Sequence, residues 1–222
     1  MTKRKLVYFF DLILVLVMKD LKIRYKSSVL GYLWSLLNPL SLALIFYFVF
    51  KIVVKFPVEN YVVYLLTGLF PWQWISNSLS VSTSILLANA GLIKKVQCPR
   101  EVFPLSVVLQ DGVHFILSLP VIFLLLKFYA LPFLFSRLPL VFLLIFLQLL
   151  FLYGLALIIS SINLFFRDLE RLVAIFLTIM FYFTPIIYTV DYIPNNIRPY
   201  LYFNPFFPFI ELWHMVFLKD TI

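Results

Sequence analysis

Long apolar runs are the feature that most restricts what this chain can fold into. Five stretches rich in apolar residues follow one another, over 30–54, 61–88, 103–127, 138–165 and 169–189. About 20 apolar residues in a helix cross the roughly 30 Å hydrocarbon core of a bilayer. The chain is 64% hydrophobic and only 13% charged, far from the composition of a soluble domain. We therefore predict an all-α integral membrane protein, with five spans in a single domain over 1–222.

The placement of Lys and Arg predicts the orientation of these spans. If the N-terminus lies in the cytoplasm, twelve of the eighteen basic residues fall on the inside. The outer side then holds the other six: Lys51, Lys55, Lys127, Arg137, Arg198 and Lys219. An excess of basic residues on the cytoplasmic side is typical of membrane proteins. We expect a multi-pass membrane protein with a cytoplasmic N-terminus and no cleaved signal peptide.

The segment 8–28 is too short and too charged at its end to span. On a helical wheel, one stripe holds Leu14, Met18, Leu21 and Tyr25, and another holds Lys19, Lys22 and Lys26. This pattern predicts an amphipathic helix in the cytoplasmic interface, with its apolar stripe toward the acyl chains. The helix is either a topological anchor or a contact for a partner.

The tail over 191–218 is aromatic but interrupted by prolines and charges. Asn204-Pro205 is typical of a helix start, and the segment from there to Leu218 is too short to cross. We predict short re-entrant or interfacial helices on the outer face, which need protein around their irregular backbone.

Several functions are excluded or weakened by what the sequence lacks. Its net charge of +8 is divided among the ends of apolar runs rather than forming the basic face that nucleic acid needs, and the single Cys98 excludes an internal disulfide. No P-loop motif is present, so we expect no catalytic site, metal or cofactor in this chain.

Two acidic groups leave alternatives open. Asp168 and Glu170 could bind the metal of a membrane glycosyltransferase, or form a loop neutralised by Arg167 and Arg171. Asp111, with Gln110 and His114 nearby, could serve packing or transport, because ionisable residues within spans usually face the bundle interior.

Three blocks resemble a known family in their order along the chain. RYKSSVLGYLWSLLNPL (24–40) resembles the start of the membrane subunit of bacterial type-2 ABC transporters that export polysaccharide, such as O-antigen, capsule or teichoic-acid chains. LIKKVQCPREVFPLS (92–106) resembles the loop through which that subunit couples to its ATPase. NPFFPFIELWHMVFL (204–218) resembles the outer segment.

The resemblance implies a function and a set of partners. The chain would be the channel-forming permease subunit of an ATP-driven exporter that moves polyprenyl-diphosphate-linked polysaccharide from the cytoplasm across the bacterial inner membrane. It would act as a homodimer with two copies of a cytoplasmic ABC ATPase, which bind the ATP and Mg. The family has six spans, so a sixth span is expected beyond the five seen here. The alternatives are a type-2 permease for drugs or lipids, a membrane-embedded glycosyltransferase and a passive channel.

The resemblance also implies candidate site residues. The cytoplasmic loop 89–102 would couple to the ATPase through Lys94, Lys95, Gln97, Arg100 and Glu101. Lipid headgroups or cargo would meet Lys19, Lys22, Arg24 and Lys26. The channel and its outer opening would be lined by Tyr32, Trp34, Tyr47, Tyr182, Tyr188, Tyr192, Tyr200, Tyr202, Phe206 and Trp213, because aromatic faces stack on sugar rings. Between interfacial helix and first span, Gly31 would permit close approach and Pro39 would loosen the helix.

Overall fold

The computed structural model describes residues 3–25, 31, 33–95, 98–132 and 135–218. Over these residues the chain is helical and contains no strand. Its α-helices are α1 Lys3–Tyr25, α2 Leu33–Phe46, α3 Tyr61–Ala88, α4 Ala90–Lys95, α5 Val102–Phe128, α6 Leu138–Asn163, α7 Leu169–Phe183 and α8 Phe207–Leu218. A π-helix, Tyr47–Val53, extends α2, and 3₁₀ turns occupy Phe135–Arg137, Val190–Tyr192 and Arg198–Phe203.

Three helical stretches of the described chain are long and apolar enough to cross a membrane: Leu36–Val53, Val102–Phe128 and Phe135–Asn163. The chain is thus an all-α integral membrane protein. The helix α3 has 28 residues but carries more polar side chains, and α7 has only 15. The five-span topology stays a prediction. The fifth predicted span, 169–189, is helical only to Phe183, because Thr184 precedes a proline and Pro185 has no N–H to continue the helix.

The described residues group into two compact units. One contains residues from 1–32, 74–114 and 149–175, and the other contains residues from 33–73, 115–148 and 176–222. The helices α3, α5, α6 and α7 each contribute residues to both.

In the first unit, α1 packs one apolar face against the protein. Ile13 and Leu16 are buried in a cluster with Leu86, Val102 and Phe103. A second apolar face is exposed, and it includes Phe10, Leu14, Val15 and Met18. The predicted stripe is therefore partly wrong, because Leu21 is only 7% exposed while Leu14 is 60% exposed. A helix with two apolar faces has no single stripe that the sequence alone can assign to lipid.

Gly31 differs from its expected role. Its φ is +48°, the left-handed region that favours glycine, but among the described residues no heavy atom lies within 4 Å of where a Cβ would stand. The residue therefore serves the local turn rather than a close approach. Pro39 lies inside α2, as expected for a residue within the first span.

A tight contact joins α3 to α5 in the first unit. Trp74 Nε1 donates to the Val108 carbonyl oxygen at 3.0 Å, and its ring lies over Gly112, where an added Cβ would meet Trp74 Cζ2 at 3.0 Å. One turn away, Ser78 Oγ donates to Asp111 Oδ2 at 3.2 Å in a fully buried contact. Asp111 thus has a packing role, and a transport role stays untested.

We predict that Gly112→Ala destabilises the protein while Gly154→Ala does not. Both glycines lie inside helices, so both gain the same helix propensity, but a Cβ at Gly154 meets nothing within 4 Å in the part of the chain that the structure describes. The Trp74 ring must shift in the first variant, at a cost of about 1–3 kcal/mol. The free energy of unfolding in mixed detergent micelles measures the difference. Equal stability of the two variants would contradict the contact.

Candidate functional site

The predicted coupling residues are exposed. Lys94 and Lys95 end the short helix α4, which has no buried residue. Arg100 and Glu101 are exposed just before α5, and Gln97 lies outside the described residues. Lys94, Lys95, Arg100 and Glu101 therefore carry exposed charges on the short connection between the long helices α3 and α5.

The predicted headgroup cations are only partly described. Lys19 and Lys22 are exposed on α1. Lys26 and the side chain of Arg24 lie outside the described part of the chain. Contact of these cations with lipid or cargo stays a prediction.

The two acidic groups at the start of α7 are exposed. Asp168 and Glu170 lie beside the exposed Arg167 and Arg171. Over the described chain, no group of three or more His, Cys, Asp or Glu side chains could hold a metal ion.

The predicted aromatic residues separate into two groups. Six are exposed: Trp34, Tyr47, Tyr182, Tyr192, Tyr200 and Tyr202. Tyr188 is half-buried, and Tyr32 lies outside the described residues. Phe206 is 1% exposed and Trp213 is 0% exposed, so the structure gives these two no surface toward a channel. They are instead packing residues, because their rings contact Trp72, Phe115 and Phe217 inside the second unit.

The second unit contains a non-helical segment, 184–189, that follows α7. Five of its six residues are buried, and a buried carbonyl without a donor costs about 1–3 kcal/mol. Two tyrosines of α3, which are far from this segment in the sequence, donate hydrogen bonds to its carbonyls. Tyr61 Oη donates to the Ile187 carbonyl at 2.7 Å, and Tyr64 Oη lies 2.9 Å from the Pro185 carbonyl and 2.7 Å from that of Tyr188.

His214 of α8 supplies the third donor. Its Nε2 lies 3.3 Å from the Pro185 carbonyl oxygen, and its Nδ1 lies 3.0 Å from Thr67 Oγ1. A carbonyl only accepts, so Nε2 carries the hydrogen, and Nδ1 then accepts from the threonine hydroxyl. The imidazole stacks on the Tyr64 ring with centroids 4.1 Å apart and planes at 7°. Tyr61, Tyr64, Thr67 and His214 are called the tyrosine–histidine cluster below.

The fit of His214 depends on a small residue and on a neutral ring. A Cβ at Gly68 would stand 3.0 Å from His214 Cε1, so glycine permits the approach of α8 to α3. The helix α8 is too short to span a membrane. Burial lowers the pKa of His214 to about 3, and the hydrogen bond to the Pro185 carbonyl partly opposes this lowering. The ring is therefore neutral at physiological pH. Burial, followed by the charge of Asp191, raises the pKa of Glu211 on the same helix.

Asn204 begins the turn that leads into α8. Its Oδ1 accepts from the Phe206 N–H at 3.0 Å, and its Nδ2 donates to Thr184 Oγ1 at 2.8 Å. Thr184 Oγ1 in turn donates to the Met180 carbonyl at 2.6 Å. The asparagine thus closes the turn that precedes α8 and ties it to the end of α7; the helix itself begins at Phe207, three residues later than the predicted cap.

Two further contacts hold α8 along its length. Gln148 of α6 accepts from Trp213 Nε1 at 2.7 Å and donates to the Pro71 carbonyl of α3 at 3.2 Å. At the C-terminal end, Arg137 lies 3.4 Å from the Val216 carbonyl oxygen, one of the last four carbonyls that lack a helical partner. The helix α8 is therefore fixed to α3 and α6 at successive levels.

Sequence reasoning missed most of this cluster. Tyr61, Tyr64 and Thr67 recur every third residue, and His214 and Gln148 are polar residues within apolar helices. That spacing marks one face of a helix, and the isolated polar residues require partners. The pairing itself joins residues more than 100 positions apart, which a single sequence does not reveal.

Comparison with known proteins defines the class of this one. Residues 11–218 match the family described as ABC-2 type transporter, and the chain belongs to that family. An O-antigen export system permease protein, RfbA, from Klebsiella pneumoniae is 46% identical over 220 residues, which are 99% of this chain and 85% of that protein. RfbA from Myxococcus xanthus is 34% identical over 193 residues, 87% of this chain and 74% of the relative. The polysialic acid transport protein KpsM from Escherichia coli is 25% identical over 208 residues, 89% and 77% of the two chains.

We predict that Tyr64→Phe lowers stability and that Tyr200→Phe does not. The first change leaves the Tyr188 carbonyl without its donor and should cost about 1–2 kcal/mol, within the range for a lost buried partner. Tyr200 is 67% exposed and is the matched control. Unfolding monitored by tryptophan fluorescence in mixed micelles measures both. Identical unfolding of the two variants would refute the donor role of Tyr64.

Proposed function

We propose that this chain is the channel-forming permease subunit of an ATP-driven exporter that moves lipid-linked polysaccharide out of the cytoplasm across the inner membrane. The observation that carries the proposal is similarity over 99% of the chain to a protein named as an O-antigen export permease. Relatives that differ in their named polysaccharide share the same region. The cargo is therefore a polysaccharide, and its chemical identity varies among members.

The energy for transport comes from a second polypeptide. The sequence has no P-loop, and ABC transporters hydrolyse ATP on cytoplasmic subunits. In this proposal two copies of the chain form the channel, and two ATPase subunits bind ATP and Mg. The exposed residues Lys94, Lys95, Arg100 and Glu101 on the loop 89–102 contact the ATPase, because this short connection can move with it.

The exposed aromatic residues suit a polymer that slides. Tyr182, Tyr192, Tyr200 and Tyr202 each offer a ring face and a hydroxyl, and both interact with sugars without requiring one sequence of residues. Phe206 and Trp213 have no such role here, since they are buried. The free surface of the tyrosines is compatible with contact along the exit from the channel.

Deletion of the gene in its own host tests the function. We expect surface polysaccharide to fall at least tenfold, with lipid-linked polymer accumulating inside the cell, and both effects to reverse when the chain is supplied from a plasmid. Immunoblots of intact and lysed cells measure the two pools. Unchanged surface polysaccharide together with increased drug sensitivity would instead indicate a permease for drugs.

Charge reversal in the coupling loop tests the partner. We expect Lys94→Glu combined with Arg100→Glu to reduce export at least tenfold and to weaken recovery of the ATPase with the permease from detergent extracts. Lys127→Glu is the matched control, because Lys127 is an exposed cation at the other end of α5. Export and recovery equal to the control would place the ATPase contact elsewhere.

A further inference from the structure

We propose that Lys51 and the loop 54–60 form a phosphate-binding site at the end of the spanning stretch Leu36–Val53, on the side predicted to be outer. The site receives the diphosphate of the lipid-linked polymer when that group reaches the outer leaflet. The assignment of this ligand rests on the proposed function. The phosphate site itself rests on the geometry of the loop and on the charge of Lys51.

The helix that carries Lys51 changes its form before it ends. Residues Tyr47–Val53 are a π-helix rather than a continuation of α2. At the end of this π-helix, the Val54 N–H donates to the Val49 carbonyl at 2.9 Å, five residues back instead of four. A π-helix is rare, and where it occurs in a longer helix it frequently marks a functional site. The end of this span that bears Lys51 therefore differs in backbone form from the rest of it.

The loop 54–60 that follows has an uncommon backbone. Lys55 and Asn60 have φ values of +57° and +48°, in the left-handed region that residues other than glycine seldom adopt. Backbone of this kind costs free energy and persists only where other contacts hold it. Lys51 provides one such contact, because its Nζ donates to the Val58 carbonyl at 2.8 Å. The ammonium group of Lys51 thus holds the loop and is itself held in place by it.

The charge of Lys51 has no carboxylate opposite it. Within the part of the chain that the structure describes, Lys51 forms no ion pair, and its hydrogen bond goes to the neutral Val58 carbonyl. The Nζ has three N–H groups, so two remain for a ligand. The side chain is only partly exposed, and burial of an unpaired charge is costly. Since the anions near the end of a span are lipid phosphates, and charged hydrogen bonds to phosphate are strong, a phosphate fits this cation.

The same loop contacts an exposed tyrosine. The Phe56 ring of the loop lies 6.1 Å from the ring of Tyr61 in the tyrosine–histidine cluster and 4.4 Å from the Tyr192 ring, centroid to centroid. Tyr192 is 49% exposed, and its ring face and hydroxyl suit a sugar. Lys51, Phe56 and Tyr192 all belong to the second unit. A lipid-linked polymer carries its diphosphate next to its first sugar, so a cation and an exposed tyrosine at one loop fit that junction better than a phospholipid headgroup.

Acetylation of the unmodified chain tests the site without transport. The chain is placed in nanodiscs of digalactosyldiacylglycerol, a lipid without phosphate, and treated with N-hydroxysuccinimidyl acetate, and mass spectrometry follows each lysine. We expect geranylgeranyl diphosphate in the nanodiscs to slow acetylation of Lys51 at least tenfold, because the bound phosphate occupies its N–H groups. Lys127, an exposed cation at the end of α5, is the matched control and should change less than twofold. No slowing at Lys51, or equal slowing of both lysines, would overturn the phosphate site.

Phosphatidylglycerol at the same mole fraction separates the two sources of phosphate. Protection of Lys51 by the diphosphate, with at least tenfold weaker protection by phosphatidylglycerol, supports the cargo as the ligand. Equal protection by the two lipids supports a phosphate site for membrane headgroups and overturns its assignment to the cargo.

Export by three variants tests the role of the site in transport. Lys51→Gln removes the charge, Lys51→Arg keeps it, and Lys127→Gln removes a cation outside the site. We expect Lys51→Gln to lower surface polysaccharide at least tenfold with the parental amount of protein in the membrane, and the other two to stay within twofold of the parent. Export by Lys51→Gln equal to the control would overturn the cargo role. If acetylation supports the site but gene deletion leaves surface polysaccharide unchanged, the proposed function fails while the phosphate site stands.

Discussion

The second unit depends on one constraint, which is that each buried carbonyl oxygen needs a hydrogen-bond donor. In an apolar surrounding, backbone that is not helical survives only if other groups replace the missing helical hydrogen bonds. The break after α7 creates that need over 184–189, and α3 and α8 meet it with two phenols and an imidazole. Three donor hydrogens then serve three carbonyls of this segment, and they replace hydrogen bonds that a continued helix would have supplied.

Close approach of helices follows from the same constraint. A side chain that must reach backbone on a neighbouring helix needs a small residue opposite it. Gly68 provides that space for His214, and Gly112 provides it for Trp74. In both cases a ring lies over a glycine and one of its nitrogens donates to a carbonyl. Both of these glycines are therefore needed for packing between helices, whereas Gly31 is needed for its backbone conformation.

Local signals in the sequence predicted the long helices and the turn before α8. The apolar runs matched long helices, since length and composition are properties of the run itself, and Asn204 forms its turn through its nearest neighbours. What depends on contacts between distant residues was not predictable. The roles of Phe206 and Trp213 were misjudged because aromatic residues suit both a sugar path and a packed interior, and only burial distinguishes the two. Leu21 was misjudged because α1 has two apolar faces, and the sequence does not say which one meets protein.

The chain of contacts through His214 also bears on proton transfer within the protein. Histidines in membrane proteins can belong to proton relays, and here His214 joins the Thr67 hydroxyl to the Pro185 carbonyl. A backbone carbonyl can accept a hydrogen bond but has no proton of its own to pass on. The series therefore ends at Pro185, and the imidazole provides no conducting wire. His214 can thus join two helices and an irregular segment through polar contacts that offer a proton no onward path beyond Pro185.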